Sequence, residues 1–356
     1  MRKLWIACAL LAVLDVALVL LGTLRGPSPS RSPSDATPAA IRAGGRRLRI
    51  GLVFDVGGLG DKSFNDSAWV GVERARRELG AEVELVEPGD GADRESGLRL
   101  LAAKGFDLVI GVGFVFSDDI YAIAGEYPGT RFACVDYSKY GPGGLVTPPP
   151  NMVALKFREE QGSYLVGALA ALVSRTKVLG FVGGMDIPLI HKFEAGYRAG
   201  ALKVCPECRV VVGYAGVTPD AFKNPSKGKE LALTQYGAGA DVIFQAAGST
   251  GLGVFEAARQ VGRYGIGVDA DQWDEAPGRV LTSMTKQVDV SVFETARAIA
   301  EGRFQSGVRV FGLAERGCDY VYDEHNRPLI PDAVRARVEA LRADIIAGRI
   351  VVPEGT

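Results

Sequence analysis

From Arg46 onward, the chain alternates between short runs that are apolar throughout and longer stretches in which apolar residues recur at helical spacing. A fully apolar run is typical of a parallel strand covered on both faces, and the helical spacing indicates an amphipathic helix. Strands are predicted at residues 49–56, 82–88, 108–113, 131–137, 178–184, 209–216, 241–248, 264–269 and 280–285. Helices are predicted between Asn65 and Gly80 and at about 92–104, 158–174, 188–203, 227–237, 250–262, 289–301 and 331–347.

This alternation of strands and helices predicts the α/β class, with doubly wound parallel sheets. The number of predicted strands is larger than one sheet usually holds, so we expect two such lobes around a ligand cleft. The length of 356 residues agrees with about two domains. Lobe 1 is expected to contain residues 46–154 plus 281–312, and lobe 2 residues 155–280 plus 313–356.

The first residues form a separate unit, residues 1–25. Arg2 and Lys3 precede residues 4–24, which are apolar apart from a single aspartate. The pattern is typical of an export signal, and a run of about 20 residues can also span a bilayer. A signal peptide and an N-terminal anchor both stay open, and both place the rest of the chain outside the cytoplasm. Residues 26–45 are rich in Pro and Ser, which predicts an extended, solvated linker.

Composition narrows the function classes. The chain has 41 basic and 42 acidic residues, so it lacks the basic excess with which proteins bind nucleic acid. Its two histidines leave few ligands for a metal, so no metal site is predicted. Cys205 and Cys208 follow a predicted helix and are interpreted as a structural disulfide or free thiols, while Cys134 and Cys318 are expected to be packing thiols.

Polar and aromatic side chains follow the predicted strands at their carboxyl ends, where open parallel sheets bind ligands. They include Asp55, Asp136, Phe222, Asp269 and Lys286. Acids, a lysine and aromatic rings are therefore expected to converge on one cleft between the lobes.

The glycine-rich segment after the first strand, VGGLGDKSFN, raises the possibility of a nucleotide-binding enzyme. It matches neither the phosphate loop nor the spacing of a dinucleotide-binding motif. The chain also lacks a GxSxG nucleophile motif, so no catalytic residue is predicted. Simpler roles stay open in this segment, because Phe64 could pack on Trp69 while Ser63 and Asn65 cap the following helix.

Several segments, in this order along residues 48–312, carry a resemblance to a known family. They are DKSFN, GFVGGMDIPLI, FEAGYRAGA, DVIFQAAGSTGLGVFEAA, GVDADQ and TSMTKQVDVSV. The chain resembles the basic membrane protein (BMP) family, which are extracytoplasmic substrate-binding proteins of ABC importers of the purine nucleoside receptor type. The resemblance implies a type I periplasmic-binding-protein fold whose lobes close over a purine nucleoside.

The resemblance also assigns roles to individual residues. Phe64 and Phe222 would stack on the two faces of the base. Asp61 and Asp136 would bond the purine edge, and Asn65 belongs to the same ligand-binding set. The ribose would be held by Asp55, Asp269, Lys286 and the backbone of Gly248.

The implied partner is a membrane permease, and the protein is expected to be a monomer without a cofactor. The family is usually lipid-anchored through a cysteine that ends the apolar run. Here Cys8 precedes most of that run and the usual lipidation box is absent, so a lipid anchor is not predicted. Two other functions stay open: a membrane-tethered sensor with the same fold and a nucleoside-processing enzyme.

Overall fold

The structure, a computed structural model, describes residues 46–89 and 93–355. The predicted signal or anchor and the whole predicted linker lie outside the described residues. Within the described ranges, no helix combines the length and the apolarity needed to cross a bilayer.

Strands and helices alternate along most of the described chain. Strands β1 to β14 are Arg49–Val53, Glu82–Val86, Leu108–Val112, Arg131–Val135, Tyr140–Gly141, Gly144–Leu145, Met152–Phe157, Val178–Met185, Arg209–Gly216, Val242–Ala246, Tyr264–Asp269, Val280–Lys286, Gly307–Phe311 and Cys318–Tyr320. Helices α1 to α9 are Phe64–Leu79, Arg94–Ala103, Ser117–Glu126, Glu159–Val173, Pro188–Val204, Pro225–Gly237, Gly251–Val261, Val288–Ala300 and Asp332–Ile346. Every predicted strand and helix has a counterpart in these lists.

The strands form two six-stranded sheets and a small hairpin. The first sheet has the order β13-β7-β4-β3-β1-β2, and all of its neighbouring strands are parallel. The second has the order β14-β12-β11-β10-β8-β9 and is parallel except for β14, which runs antiparallel to β12. Strands β5 and β6 pair with each other. The predicted α/β class with two doubly wound lobes is confirmed.

Two expected lobe boundaries need correction. Strand β12 lies in the second sheet, although the segment from residue 281 was assigned to lobe 1. Strand β7 lies wholly in the first sheet, although the expected boundary at residue 154 would cut it. The chain therefore changes sheets only after a complete strand.

Three crossings join the two sheets, after β7, β12 and β13. After β7 the chain enters α4, which packs on β12 and β14 of the second sheet. After β12 it enters α8, which packs on α1 beside the first sheet. Backbone bonds tie the crossings together: Arg158 N–H donates to Phe311 O over 2.9 Å, and Gln287 N–H donates to Gly317 O over 2.8 Å.

The cysteines among the described residues have structural positions. Cys205 and Cys208 form a disulfide at the end of α5, which selects one of the two interpretations that the sequence left open. Cys134 and Cys318 are buried free thiols, as expected.

Candidate functional site

A cavity lies where the carboxyl ends of both sheets meet. The space between its lining atoms is about 600 Å³, including the part open to solvent, and about 70 Å³ of it accepts the centre of a water molecule. The sequence-predicted residues that line it are Asp55, Asp61, Phe64, Asn65, Asp136, Phe222, Gly248, Asp269 and Lys286. The structure therefore brings every predicted site residue to one cavity.

The loop after β1 is shaped by glycines and by Asp61. Gly58 and Gly60 have φ values of 62° and 95°, a region that favours glycine. A Cβ atom on Gly57 would lie 2.9 Å from Asn65 Nδ2, so only glycine leaves room there. The glycine cluster therefore permits a tight turn around the side chain of Asn65.

Asp61 anchors the start of α1. Its Oδ1 accepts hydrogen bonds from the N–H groups of Ser63 and Asp66 over 2.9 and 3.2 Å. Its Oδ2 accepts from the backbone N–H and the side-chain amide of Asn65 over 2.9 and 3.0 Å. Asp61 thus satisfies amide groups that a helix N-terminus leaves unpaired, and both of its oxygens are already engaged. Ser63, which could have been the cap, makes no side-chain cap bond.

Asp55 lies two residues beyond the end of β1, and one of its carboxyl oxygens accepts no hydrogen bond from the described residues. Its Oδ1 accepts from Val56 N–H over 2.7 Å, and its own N–H donates to Asn65 Oδ1 over 3.2 Å. A Cβ atom on Gly113 would lie 2.6 Å from Asp55 Oδ2, so this glycine makes room for the carboxyl group. Burial raises the pKa of Asp55 to about 6, although the bond from Val56 opposes the shift.

Asp136 and Lys286 form a buried ion pair across the cavity. Lys286 Nζ lies 2.6 Å from Asp136 Oδ2 and 3.2 Å from Glu159 Oε1, and each of the three side chains is at most 5% exposed. Asp136 Oδ1 is buried and has no hydrogen-bond partner among the described residues. Burial by itself lowers the pKa of Lys286, but the carboxylates of Asp136, Glu159 and Asp269 outweigh it and raise that pKa. The lysine is therefore a cation at neutral pH.

Asp269 faces the cavity from the second sheet. Its Oδ2 accepts a hydrogen bond from Ser63 Oγ over 2.5 Å. Burial raises its pKa to about 7, while Lys286 and Ser63 lower it. Its φ of 66° resembles the 60° of Asp136, and non-glycine residues with positive φ are concentrated at functional sites.

Aromatic rings from both sheets complete the lining. Phe64 starts α1 on the side of the first sheet, and Phe222 follows β9 of the second. The ring of Phe222 lies 2.2 Å from where a Cβ atom of Gly184 would stand, so this glycine permits its position. Its carbonyl accepts from Ser249 Oγ over 2.9 Å.

Sequence reasoning did not assign several lining residues to the site: Gly57, Gly113, Phe114, Leu189, Ile190, Phe193, Ala246, Ala247 and Val268. Phe193 belongs to α5, and its ring centroid lies 5.7 Å from Lys286 Nζ. The apolar positions 189, 190 and 193 are spaced for one helix face, which by itself indicates only packing. The position of α5 beside the cavity is a tertiary feature.

The arrangement suits the binding of a flat ring with polar edges. Phenyl groups offer apolar faces, carboxylates accept hydrogen bonds, and Lys286 donates them. Within residues 46–89 and 93–355, no group of His, Cys, Asp and Glu side chains is placed to hold a metal ion.

Comparisons with known proteins point to one family. The family model Bmp, described as ABC transporter substrate-binding protein PnrA-like, matches residues 49–356. A Listeria monocytogenes protein named CD4+ T-cell-stimulating antigen is 33% identical and covers 91% of this chain and 93% of its own. The ABC transporter nucleoside-binding protein BmpA of Lactococcus lactis is 31% identical over 86% of this chain and 89% of its own. The crystal structure of an ABC transporter solute-binding protein from Aeropyrum pernix aligns with a TM-score of 0.78 and 29% identity, over 86% of this chain and 94% of that one.

Proposed function

The chain belongs to the Bmp family of PnrA-like ABC transporter substrate-binding proteins, and we propose that its ligand is a purine nucleoside held between the two sheets. The resemblance inferred from the motifs is thus confirmed, together with the type I periplasmic-binding-protein fold. The family consists of binding proteins rather than enzymes, and it implies a small ligand and a transporter permease as partner.

The observation that carries the ligand proposal is a pair of phenyl groups, one from each lobe, that line the same cavity. Phe64 comes from the first lobe and Phe222 from the second, so a planar base between them would contact both lobes. Stacking on an aromatic side chain contributes about 1–3 kcal/mol for any base. A ligand clasped in this way would hold the lobes together. The name of the Lactococcus lactis relative, a nucleoside-binding protein, supports the same ligand class.

The first lobe offers two carboxyl oxygens that could accept hydrogen bonds from the edge of the base. Asp136 Oδ1 is buried and finds no partner in the part of the chain that the structure describes, and a buried acceptor without a partner costs about 1–3 kcal/mol. Asp55 Oδ2 accepts no hydrogen bond from the described residues, and the two carboxyl groups interact electrostatically. We therefore assign the base edge to Asp136 and Asp55, whereas the resemblance had suggested Asp61 for the edge and Asp55 for the ribose. Asp61 and Asn65 shape the loop, because their polar atoms bond each other and the backbone.

The ribose is assigned to the second lobe. Asp269 accepts hydrogen bonds and Lys286 donates them, so together they can hold hydroxyl groups and the ring oxygen. Gly248 follows β10 with a φ of 56°, and its backbone lies beside Phe222. Base and sugar would thus be read mainly by different lobes, which requires both lobes for tight binding.

A ligand screen tests the proposal. Adenosine, guanosine, inosine, their free bases and ribose are titrated into the full chain by calorimetry, with thermal shift as a second measurement. At least one nucleoside should bind more tightly than its base or ribose and raise the melting temperature most, since a ligand stabilises the state it binds. Tighter binding of a sugar without a base, or no binding of any nucleoside, would overturn the proposal.

A variant of Asp269 distinguishes the contribution of the ribose to the affinity from that of the base. Asp269→Ala should weaken nucleosides more than free bases, because its proposed partner is the ribose. Equal losses for nucleoside and base would remove that role. Release of free base during incubation with a nucleoside would instead favour the nucleoside-processing enzyme.

The proposed setting is outside the cytoplasm, with the protein acting as a monomer beside its permease. The Cys205–Cys208 disulfide agrees with an oxidising compartment. A membrane-tethered sensor with the same site would bind the same ligand, and ligand-dependent uptake by the permease separates transport from sensing.

A further inference from the structure

Glu159 is a buried carboxylate that the proposed ligand contacts do not use. It is the first residue of α4, and 1% of its side chain is exposed. Its Oε1 lies 3.2 Å from Lys286 Nζ, and its Oε2 lies 3.6 Å from Lys192 Nζ and accepts no hydrogen bond from residues 46–89 and 93–355. Burying a carboxylate is costly unless it is paired. Its place between two ammonium groups therefore indicates that its interaction with them serves a purpose.

Glu159 and Lys286 belong to the same side of the cleft. Lys286 ends β12 of the second sheet, and α4 packs on that strand. The approach is close, since a Cβ atom on Gly162 would lie 2.6 Å from Met284 Cε of β12. Asp136, the other partner of Lys286, follows β4 of the first sheet. Separation of the sheets would therefore break the bond to Asp136 and leave the bond to Glu159.

The start of α4 has little freedom to move. Helices α4 and α5 touch through their backbones: a Cβ atom on Gly196 would lie 2.1 Å from Glu160 O, and one on Gly200 would lie 1.9 Å from Tyr164 O. Only glycine permits such an approach. Lys192 on α5 lies 3.6 Å from Glu159, so it also holds the carboxylate from behind. The carboxylate of Glu159 is thus a fixed point on a rigid helix pair.

The ammonium group of Lys286, in contrast, stands on a flexible stem. It carries three donors, of which one can go to Asp136 at 2.6 Å and one to Glu159 at 3.2 Å, which leaves one for a ligand. We infer that Glu159 is a positioning residue that keeps the Lys286 ammonium aimed into the cleft, both when the sheets are close and when they separate to admit a ligand. The part of this inference that concerns affinity rests on the proposed nucleoside function.

The neighbouring residue provides a matched control. Glu160 is 2% exposed and lies 3.8 Å from Lys192 Nζ, and the ion pairs of Lys286 within the described part of the chain go to Asp136 and Glu159 instead. Glu159→Gln and Glu160→Gln each remove one buried carboxylate near Lys192, and only the first removes a partner of Lys286. Glu159→Asp keeps the charge and shortens the side chain by one methylene.

The first measurement needs no ligand. The full-length variants are reductively methylated, and the rate at Lys286 is followed by peptide mass spectrometry against the other lysines. Glu159→Gln should raise that rate about tenfold over wild type, because the ammonium loses a fixed anionic partner, and tenfold corresponds to one unit of pKa. Glu160→Gln should leave the rate at Lys286 unchanged.

The second measurement is calorimetry with a nucleoside and its free base. Glu159→Gln should weaken the nucleoside about tenfold and leave the base within about twofold, while Glu160→Gln changes neither. An unchanged methylation rate at Lys286 in Glu159→Gln, or equal effects of the two glutamine variants, would overturn the inference. If Glu159→Gln does not fold, Glu159→Asp decides, and wild-type values for both measurements in that variant would overturn it. If the wild-type protein binds no nucleoside, the proposed function fails, and the methylation rate still tests the positioning role.

Discussion

The two lobes present an aspartate at corresponding places, and the two residues are bonded differently. Asp136 directly follows β4 and Asp269 ends β11, and each strand is the third in the order of its sheet. Both residues have a positive φ, 60° and 66°. Yet Asp136 is paired with the ammonium of Lys286, while Asp269 accepts a hydrogen bond from the hydroxyl of Ser63.

The difference shows that the sheet topology sets the positions of the two aspartates, while the opposite lobe supplies the bonding partner of each. Lys286 reaches Asp136 from the second sheet, and Ser63 reaches Asp269 from the loop after β1. Each aspartate thus helps to close the cleft, one by an ion pair and the other by a hydrogen bond. We expect the Asp136–Lys286 ion pair to contribute most to the free energy of unfolding. We expect Asp269 to contribute most to the dependence of that free energy on pH.

Removing the cation should produce the largest change in stability. Lys286→Met leaves Asp136 buried without its cation and leaves Glu159 with Lys192 alone, and breaking a buried ion pair costs about 3–5 kcal/mol. The free energy of unfolding, measured with urea, should fall by that amount. The exposed Lys203→Met on α5 is the control and should change it by less than about 0.5 kcal/mol. Similar values for the two variants would mean that the Lys286 pair contributes nothing particular.

The pH dependence should come from the other side of the cleft. The pKa of Asp269 rises from 3.8 to about 7 in the folded protein because of burial, with Lys286 and Ser63 opposing the shift and Asp61 and Asp136 adding to it. Between these values the folded state binds more protons than the unfolded state, so stability falls as pH rises toward 7. The ligand-free protein should lose about 2–3 kcal/mol between pH 5 and pH 8 from this group alone.

Asp269→Asn tests this assignment, since asparagine tolerates the positive φ and does not titrate. Urea unfolding at pH 5 and pH 8 should show a much smaller difference in the variant than in wild type. A residual slope of the same sign is expected, because burial also raises the pKa of Asp55 to about 6 and of Glu160 to about 7. An undiminished slope in the variant would place the titration elsewhere.

Much of the fold could be predicted because buried parallel strands read as uninterrupted apolar runs. Strand β13 escaped prediction because it lies at a sheet edge, where exposed Val308 and Val310 alternate with half-covered residues. Strand β7 escaped because it continues into α4 without a turn signal. Helix α3 was missed as well, although Ile120, Ile123 and Ala124 have helical spacing.

The site, like the fold, contains residues whose position the sequence could indicate and others whose role it could not. Motif resemblance could indicate Phe64 and Asp269, which line the cavity. It could not distinguish a carboxylate that organises a loop, as Asp61 does, from one with a free oxygen, because the residue type is the same. Glu159 gave no signal at all, since a glutamate at the start of a helix is ordinarily solvated and only the packing of α4 on β12 brings it to Lys286.

Removing one ring from each lobe tests whether both walls hold the base. Phe64→Ala and Phe222→Ala should each weaken a purine nucleoside by about 1–3 kcal/mol, the contribution of one stacked base. Calorimetry gives the affinity, and the thermal melt should stay nearly unchanged in Phe64→Ala, because this ring is only half-buried, lines the cavity and borders the core. Unchanged affinity in Phe64→Ala would leave that ring only its packing role at the start of α1.

The smallest effect is expected from Ser63→Ala, which removes the hydroxyl bonded to Asp269. At pH 5 Asp269 is mostly protonated, so the variant should lose only about 1 kcal/mol, the contribution of an ordinary hydrogen bond. At pH 8 the same bond goes to a carboxylate, and the loss should rise to about 2 kcal/mol. In an Asp269→Asn background the cost of Ser63→Ala should no longer depend on pH, which urea unfolding of the single and double variants measures. A cost that stays the same at both pH values in the wild-type background would mean that Asp269 does not titrate in this range, and the contrast between the two aspartates would then rest on the Lys286 ion pair alone.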